Sequence, residues 1–297
     1  GRAEKDGTYT EAIKYGMIGV IIHEVGHTFF PMIVNSDERQ WSWMDEGLNT
    51  FCQFLAEQEW DNNYPSGRGP AHKIVDYMKM PKEQLEPVMT NSENIINFGP
   101  NAYAKPATAL NILRETVMGR ELFDYAFKEY SRRWAFKHPT PADFFRTMED
   151  ASAVDLDWFW RGWFFSIDPV DISLDEVRLY RMNSMKQAID NAELKKAYDK
   201  DAAYQGRERN RAAGIEFAVE KDTSLLDFYN KFDRFEVTKT ADEEFQTYYN
   251  SLSPEEKKLY ESNKHFYELE FSNAGGLVMP LIIEWSFSDG SKEIDRI

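Results

Sequence analysis

The sequence is poor in cysteine, in histidine and in basic side chains, and it has no long apolar run. Cys52 is the single cysteine and cannot form an internal disulfide, so the fold must rely on its core. No uncharged apolar segment approaches the roughly 20 residues that cross a bilayer, which argues against a membrane-spanning segment. The 35 basic and 51 acidic residues give a net charge of −16, which argues against nucleic acid and anionic membranes as partners.

The acidic balance leaves two explanations open. It suits a cationic substrate, such as a peptide with a free amino terminus, but acidity that only keeps a protein soluble is the more ordinary case. With 297 residues, 42% of them hydrophobic and 15% aromatic, the chain can bury a sizeable core. We therefore expect a soluble globular chain of one large domain or two smaller ones.

Residue periodicity predicts a helical first part and a mixed second part. After Asp168 and Pro169 the pattern changes to strand-like alternation over 170–180, so we place a boundary between a helical domain at 1–167 and an accessory mixed α/β region at 168–297. Helices are predicted at 8–30, 43–60, 103–118, 121–134 and from Thr140 and Pro141 onward, where Thr140 is the expected N-cap and Pro141 lies in the first turn, then at 184–213, 241–250 and 254–263. Strands are predicted at 170–180, near 265–272 and at 277–287, with a further strand begun after a turn at 289–290.

Three details of this pattern carry expectations of their own. The interior of the first helix, Met17 to Val25, is apolar nearly all round, which predicts burial, and Thr8 has capping-box spacing to Glu11. Ser42 has the same spacing to Asp45 at the start of the second helix. The aromatic run at 158–165 has helical spacing, which is more typical of a core than of a binding platform.

The segment His23-Glu24-Val25-Gly26-His27 is the most informative motif. Four residues of an α-helix advance about 400°, so His23 and His27 lie one turn apart on the same face and can reach one tetrahedral metal ion. Glu24 projects about 60° from His27, so it can hold a metal-bound water without being a ligand itself. Histidines in an ordinary buried helix are the alternative, and five residues alone do not decide between the two.

Glu46 supplies the third expected ligand. It lies 19 positions after His27 in Trp-Met-Asp-Glu-Gly, in what is predicted as the first turn of the second helix, where the helix dipole favours a carboxylate. Two histidines and one glutamate leave the fourth position of a zinc ion open, as in catalytic sites. The sequence therefore predicts one Zn²⁺, held by His23, His27 and Glu46, with Glu24 as general base.

These two motifs together resemble those of the gluzincin metallopeptidases of the aminopeptidase N family. The pattern of that family is H-E-x-x-H, followed by eighteen residues and then by a glutamate within W-x-N/D-E-G. Here the pattern reads HEVGH, eighteen residues, then Glu46 in WSWMDEG, and Tyr103-Ala104-Lys105 resembles the family's Y-x-K segment. The resemblance is strong over about 10–166. It implies a thermolysin-like helical catalytic subdomain, mainly α, followed by a smaller α+β region with C-terminal strands.

The resemblance also implies roles for individual residues. Glu24 would move the proton of the attacking water to the leaving amine, and the Tyr103 hydroxyl would stabilise the oxyanion. Asp45, Asn49 and Thr50 are hypothetical partners of the ligand histidines.

The family's anchor for the substrate amine, a G-x-M-E-N segment upstream of the zinc helix, is absent from this sequence. Aminopeptidase activity on peptide substrates is therefore implied by the resemblance alone. A zinc endopeptidase or another hydrolase on the same site, and a non-catalytic zinc-stabilised binding module, remain alternatives.

We further expect a fragment of a longer protein. The chain begins at Gly1 and stops at Ile297 inside a predicted strand, so domains on both sides would be missing, and 168–297 would end at the start of a β-rich domain. The resemblance favours an exported bacterial protein, whereas the lack of disulfides suits the cytoplasm.

Overall fold

A computed structural model describes residues 5–180, 186–202, 205–262 and 264–297, and its fold is mainly helical. The helices of the first part are α1 Glu11–Gly26, α2 Leu48–Trp60, α3 Val75–Met78, α4 Lys105–Ile112, α5 Arg120–Trp134, α6 Pro141–Ser152 and α7 Asp157–Phe165. π-Helical turns extend two of them, at Trp43–Gly47 before α2 and at Gly99–Ala104 and Leu113–Val117 on either side of α4. Short 3₁₀ turns lie at Ala71–Lys73, Lys82–Gln84 and Ser92–Asn94.

The second part is mixed. Its elements are β1 Ile172–Tyr180, α8 Gln187–Ala202, α9 Gln205–Ala212, α10 Ala218–Lys221, a 3₁₀ turn Thr223–Leu225, α11 Phe228–Lys231, α12 Lys239–Ser251, α13 Pro254–Glu261, β2 Phe266–Asn273, β3 Ile282–Ser286 and β4 Lys292–Arg296. Strand β1 pairs with β2, and β3 forms an antiparallel hairpin with β4 in which Trp285 faces Glu293. The predicted fold class, mainly helical with strands near the C-terminus, is confirmed. Residues 184–185, 203–204 and 263 of the predicted helices lie outside the described residues.

The chain divides into two compact units, Gly1–Ser173 with Phe271–Ile297, and Leu174–Glu270. We call the first the helical unit. It differs from the predicted domain 1–167 because β3, β4 and the end of β2 belong to it. The reason is a long-range contact: Leu277 is buried in the helical core, where its Cδ1 lies 2.7 Å from the position of a Cβ on Gly162. Sequence periodicity is local and does not show such a contact.

An aromatic core holds the helical unit together. The ring of Trp43 lies 4.8 Å from that of Phe164 and 5.7 Å from that of Phe144, measured between centroids. The run at 158–165 contributes buried Phe159, Trp160, Trp163 and Phe164, so its predicted role in the core is confirmed, although Phe165 at its end is exposed. Buried side chains of this size each stabilise the fold by about 1.5–3 kcal/mol.

Helix α1 differs from its prediction in burial and at its start. Of its described residues only Gly19 is buried, and Val20, Ile21 and Val25 are each more than half exposed. The helix packs against α2 along one side, and its apolar composition does not indicate which faces are covered. Its N-cap is Thr10, whose hydroxyl accepts from the backbone N–H of Ile13 at 3.2 Å, rather than Thr8.

The second predicted cap is also wrong, whereas the third is confirmed. Ser42 donates its hydroxyl to the carbonyl of Glu38 at 3.1 Å and makes no side-chain cap, because the chain enters α2 through a π-helical turn. Thr140 and Asp143 form a capping box at the start of α6, with Pro141 in its first turn.

Within Leu174–Glu270, α8 is tied to the chain before α12. The Asn191 side chain donates to the carbonyl of Phe235 at 3.0 Å, and the rings of Tyr198 and Phe235 lie 5.8 Å apart. In the described part of the chain no helix has the length and apolar character that a membrane crossing needs.

Candidate active site

Three electron-pair donors converge where α1 meets the turn before α2. The Nε2 atoms of His23 and His27, one helical turn apart on α1, lie 3.1 Å from each other. Glu46, in the π-helical turn Trp43–Gly47, places Oε2 at 3.0 Å from His23 Nε2 and 3.4 Å from His27 Nε2. We call these three atoms the donor triad.

The donor triad fits a tetrahedral metal ion. Ligands bound to zinc at 2.0–2.1 Å in tetrahedral geometry lie about 3.3–3.4 Å from one another, close to the observed spacing. His23 Nδ1 lies 2.9 Å from the amide oxygen of Gln53, and His27 Nδ1 lies 2.9 Å from the carbonyl oxygen of Phe30. Since these oxygens only accept, each Nδ1 can carry the proton of a neutral imidazole, which would leave each Nε2 with a lone pair for a metal ion at the shared point.

A proton competes with a metal for the same position. The hydrogen bond to Glu46 raises the pKa of His23 despite the burial of the ring. Burial raises the pKa of Glu46, but the hydrogen bonds from His23 and Tyr103 outweigh it and leave the pKa below its ordinary value. The site thus holds a carboxylate, which can neutralise part of the charge of a bound cation.

Tyr103 lies directly beside the donor triad. Its hydroxyl donates to Oε1 of Glu46 at 2.5 Å, and its ring stacks on that of His23 with centroids 5.8 Å apart. It lies inside the turn Gly99–Ala104 rather than at the predicted start of a helix. Burial and the Glu46 carboxylate raise the pKa of Tyr103, so its hydroxyl stays protonated at neutral pH.

Glu24 and the donor triad line the same cavity of about 640 Å³. Glu24 is exposed, whereas His23 and His27 are half-buried. The remaining lining residues are small or polar for the most part, including Gly16, Gly19, Gln53, Glu57 and Arg68. The structure therefore brings all five predicted site residues to one cavity.

The three hypothetical partners of the histidines lie in different places. Asp45 Oδ1 lies 2.9 Å from His27 Nδ1, and burial, with a hydrogen bond to Glu38 and the charge of Glu46, raises the pKa of Asp45 to about 8. Asn49 donates to the backbone carbonyl of His23 at 2.8 Å rather than to a ring, and the buried Thr50 hydroxyl has no hydrogen-bond partner among the described residues. Asp45 alone therefore lies against an imidazole.

Gln53 orients His23 and was not among the predicted site residues. Besides contacting His23 Nδ1, it donates its amide to Oε1 of Glu57 at 2.7 Å, and Glu57, only 5% exposed, accepts from Ser66 at 2.6 Å. The sequence spacing could have identified Gln53, because it follows Glu46 by seven residues, about two helical turns, and so lies on the same side of the helix. Such partners fix the tautomer and orientation of ligand histidines.

Arg68 was also missed. Its guanidinium carbon lies 4.3 Å from the centroid of the Tyr103 ring, although 35 residues separate them in the sequence. The proline, serine and glycine residues at 65–70 predict a loop, and nothing in this local pattern indicates that the loop folds against Tyr103.

Comparison with known proteins identifies the family. A family model described as the peptidase family M1 domain matches residues 5–163, more than half of the chain. The chain belongs to peptidase family M1, and the resemblance drawn from its motifs is confirmed.

Curated relatives agree with this assignment. Probable aminopeptidase 2 of Sulfurisphaera tokodaii is 23% identical over 265 residues, covering 81% of this chain and 31% of the relative. Glutamyl aminopeptidase of Sus scrofa is 25% identical over 54% of this chain and 18% of its own length. Aminopeptidase N of Streptomyces lividans is 25% identical over 52% of this chain and 19% of its own length. The matched part is therefore less than a third of each of these relatives.

Proposed function

We propose that this chain carries the catalytic centre of a zinc-dependent peptidase that removes residues from the amino terminus of peptides. The observation that carries the proposal is the donor triad, three donors 3.0–3.4 Å apart, with Glu24 and Tyr103 on the same cavity. His23, His27 and Glu46 would hold one Zn²⁺. Three protein ligands leave one position for water, whereas structural zinc sites are usually closed by a fourth protein ligand.

Each residue then has a defined task. Bound zinc supplies a Lewis acid and lowers the pKa of a water molecule. Glu24, which is exposed to the cavity and is not one of the triad, accepts the proton of the attacking water and passes it to the leaving amine. The Tyr103 hydroxyl turns from Glu46 to donate to the oxyanion, and its raised pKa keeps that proton in place.

The preference for amino termini rests on the relatives. Three of them are called probable aminopeptidase 2, glutamyl aminopeptidase and aminopeptidase N. Peptide substrates and the contribution of further domains of a longer protein belong to the same proposal. An endopeptidase on the same donor triad would use the same chemistry, so the substrate test has to separate the two.

A Glu24→Gln variant tests the mechanism, with Glu11→Gln on the exposed start of the same helix as control. We expect Glu24→Gln to lower kcat by about 10²–10⁴-fold while the zinc content stays unchanged, because only the general base is lost. Alanine p-nitroanilide and its N-acetylated form serve as substrates. Hydrolysis that survives Glu24→Gln would exclude the general-base role, and equal cleavage of the acetylated form would exclude the aminopeptidase specificity.

A further inference from the structure

We propose that Arg68 binds a carboxylate of the substrate in the cavity beside the donor triad, an inference that rests on the proposed peptidase function. The carboxylate has two sources in a peptide, an acidic side chain or the C-terminus. Both offer the same pair of oxygens to a guanidinium.

The loop that carries Arg68 is held on both sides. Before it, Ser66 is 6% exposed and donates to the buried Glu57 at 2.6 Å. After it, Gly69 has φ +101° and lies so close to Phe54 that an added Cβ would be 2.5 Å from the ring. The carbonyl of Gly69 also accepts from the Asn111 amide at 3.3 Å. The Arg68 backbone is thus fixed before a substrate arrives, which reduces the entropy lost on binding.

The Arg68 guanidinium is positioned but not neutralised. It lies over the Tyr103 ring at 4.3 Å, a stacking that leaves the N–H groups at its edge available. Arg68 has no hydrogen bond and no ion pair with the residues that the structure describes. Arginine binds carboxylates through two parallel N–H···O bonds, a geometry that a free edge permits.

The charges of the cavity support an anionic ligand at this position. Among its described lining residues, Arg68 is the only Arg or Lys. Glu57 is already hydrogen-bonded to Gln53 and Ser66, and Glu46 to His23 and Tyr103. Because Glu46 and Glu57 already have partners and Glu24 forms no ion pair with Arg68 among the described residues, the Arg68 charge is left for an incoming group.

The distance to the donor triad fits a short peptide. One aromatic side chain, Tyr103, separates the guanidinium from the Glu46 carboxylate. A carboxylate on Arg68 therefore lies within about three extended residues of the proposed reaction centre. Arg68 would select peptides that carry a negative charge at this short distance from the scissile bond.

Calorimetric titration of the chain with matched tripeptides tests the proposal without hydrolysis. One pair is Ala-Ala-Ala with a free C-terminus and its C-terminal amide, and the other is Ala-Glu-Ala amide and Ala-Gln-Ala amide. The titrations use a Glu24→Gln background to prevent turnover, with and without zinc. Arg68→Gln removes the guanidinium, Arg68→Lys keeps the charge, and Arg161→Gln removes an exposed arginine outside the cavity.

We expect the charged member of at least one pair to bind about five- to tenfold tighter than its neutral partner. Arg68→Gln should abolish that preference, Arg68→Lys should retain part of it and Arg161→Gln should leave it intact. The pair that shows the preference identifies the source of the carboxylate. Equal binding in both pairs, a preference that survives Arg68→Gln, or no measurable binding of any probe would overturn the inference. A wild-type chain that binds no zinc or hydrolyses no peptide would instead refute the proposed function, and the binding of the charged and neutral peptides could still be compared.

Discussion

Gly26 packs so closely against Asn49 that alanine at this position should destabilise the helical unit. A Cβ on Gly26 would lie 2.0 Å from Asn49 Oδ1 and 3.1 Å from its Cγ. Asn49 is 1% exposed and its amide donates to the carbonyl of His23 at 2.8 Å. The Asn49 side chain therefore has no free space to move into, and moving it breaks a buried hydrogen bond.

The opposing effects of Gly26→Ala can be compared in magnitude. Alanine is favoured over glycine in a helix by up to about 1 kcal/mol. Leaving buried polar groups unpaired costs about 1–3 kcal/mol, and forcing an extra methyl into a packed contact costs a similar amount. The destabilising effects are larger, so we expect the free energy of unfolding to fall by about 3 kcal/mol.

Urea denaturation followed by tryptophan fluorescence measures this change. All eight tryptophans lie in the helical unit, so the signal reports on that unit alone. Gly16→Ala is the control, because it is on the same helix and a Cβ there meets nothing within 4 Å. The control should be neutral or slightly stabilising. Equal effects of the two substitutions would refute the reasoning, since they share the helix-propensity gain and differ only in the contact.

Two further predictions concern the surroundings of the donor triad. Gln53→Leu should weaken zinc binding at least tenfold in a chelator competition, because His23 loses the acceptor that orients it, whereas Gln58→Leu on the same helix should not. A retained affinity in Gln53→Leu would show that Gln53 does not orient the ligand. Lys105 is buried, and burial lowers its pKa to about 8 in the folded chain, whereas an unfolded lysine has a pKa of about 10.4. Between these two pH values the unfolded chain therefore binds more protons at Lys105 than the folded chain does. The free energy of unfolding should therefore rise with pH over this range by on the order of 3 kcal/mol more in the wild type than in Lys105→Met. Free energies of unfolding that change with pH in the same way in both proteins would contradict this.

Local patterns predicted the parts of the site that local geometry determines. The spacing of His23 and His27 is a property of one helix, and the structure brings their Nε2 atoms within 3.1 Å. Glu46 and Tyr103 come from other segments. Glu46 was predicted from its spacing to the histidine motif and Tyr103 from the resemblance to the aminopeptidase N family, and periodicity alone indicates neither. The predicted N-cap Thr140 is likewise determined by neighbouring residues, and the structure places it at the start of α6.

Features that depend on tertiary contacts were not predicted. The interior of α1 is apolar nearly all round, but composition cannot show which of its faces another element covers, and Val20 and Val25 are exposed. The position of Arg68 over Tyr103 depends on how a loop folds, and the place of Leu277 in the helical core depends on a contact more than 100 residues away along the chain. Ser42 failed as a cap because a π-helical turn follows it, and the capping-box pattern assumes an α-helix.

Zinc stoichiometry tests the central claim most directly. The purified chain is saturated with zinc, dialysed and analysed for bound metal, beside a His23→Ala/His27→Ala variant and a control in which the exposed His72 and His265 are both changed to alanine. We expect about one zinc ion per chain in the wild type and in the control, and none in the first variant. A wild-type chain that binds no zinc, or a His23→Ala/His27→Ala variant that retains it, would contradict the assignment of the donor triad as the metal site.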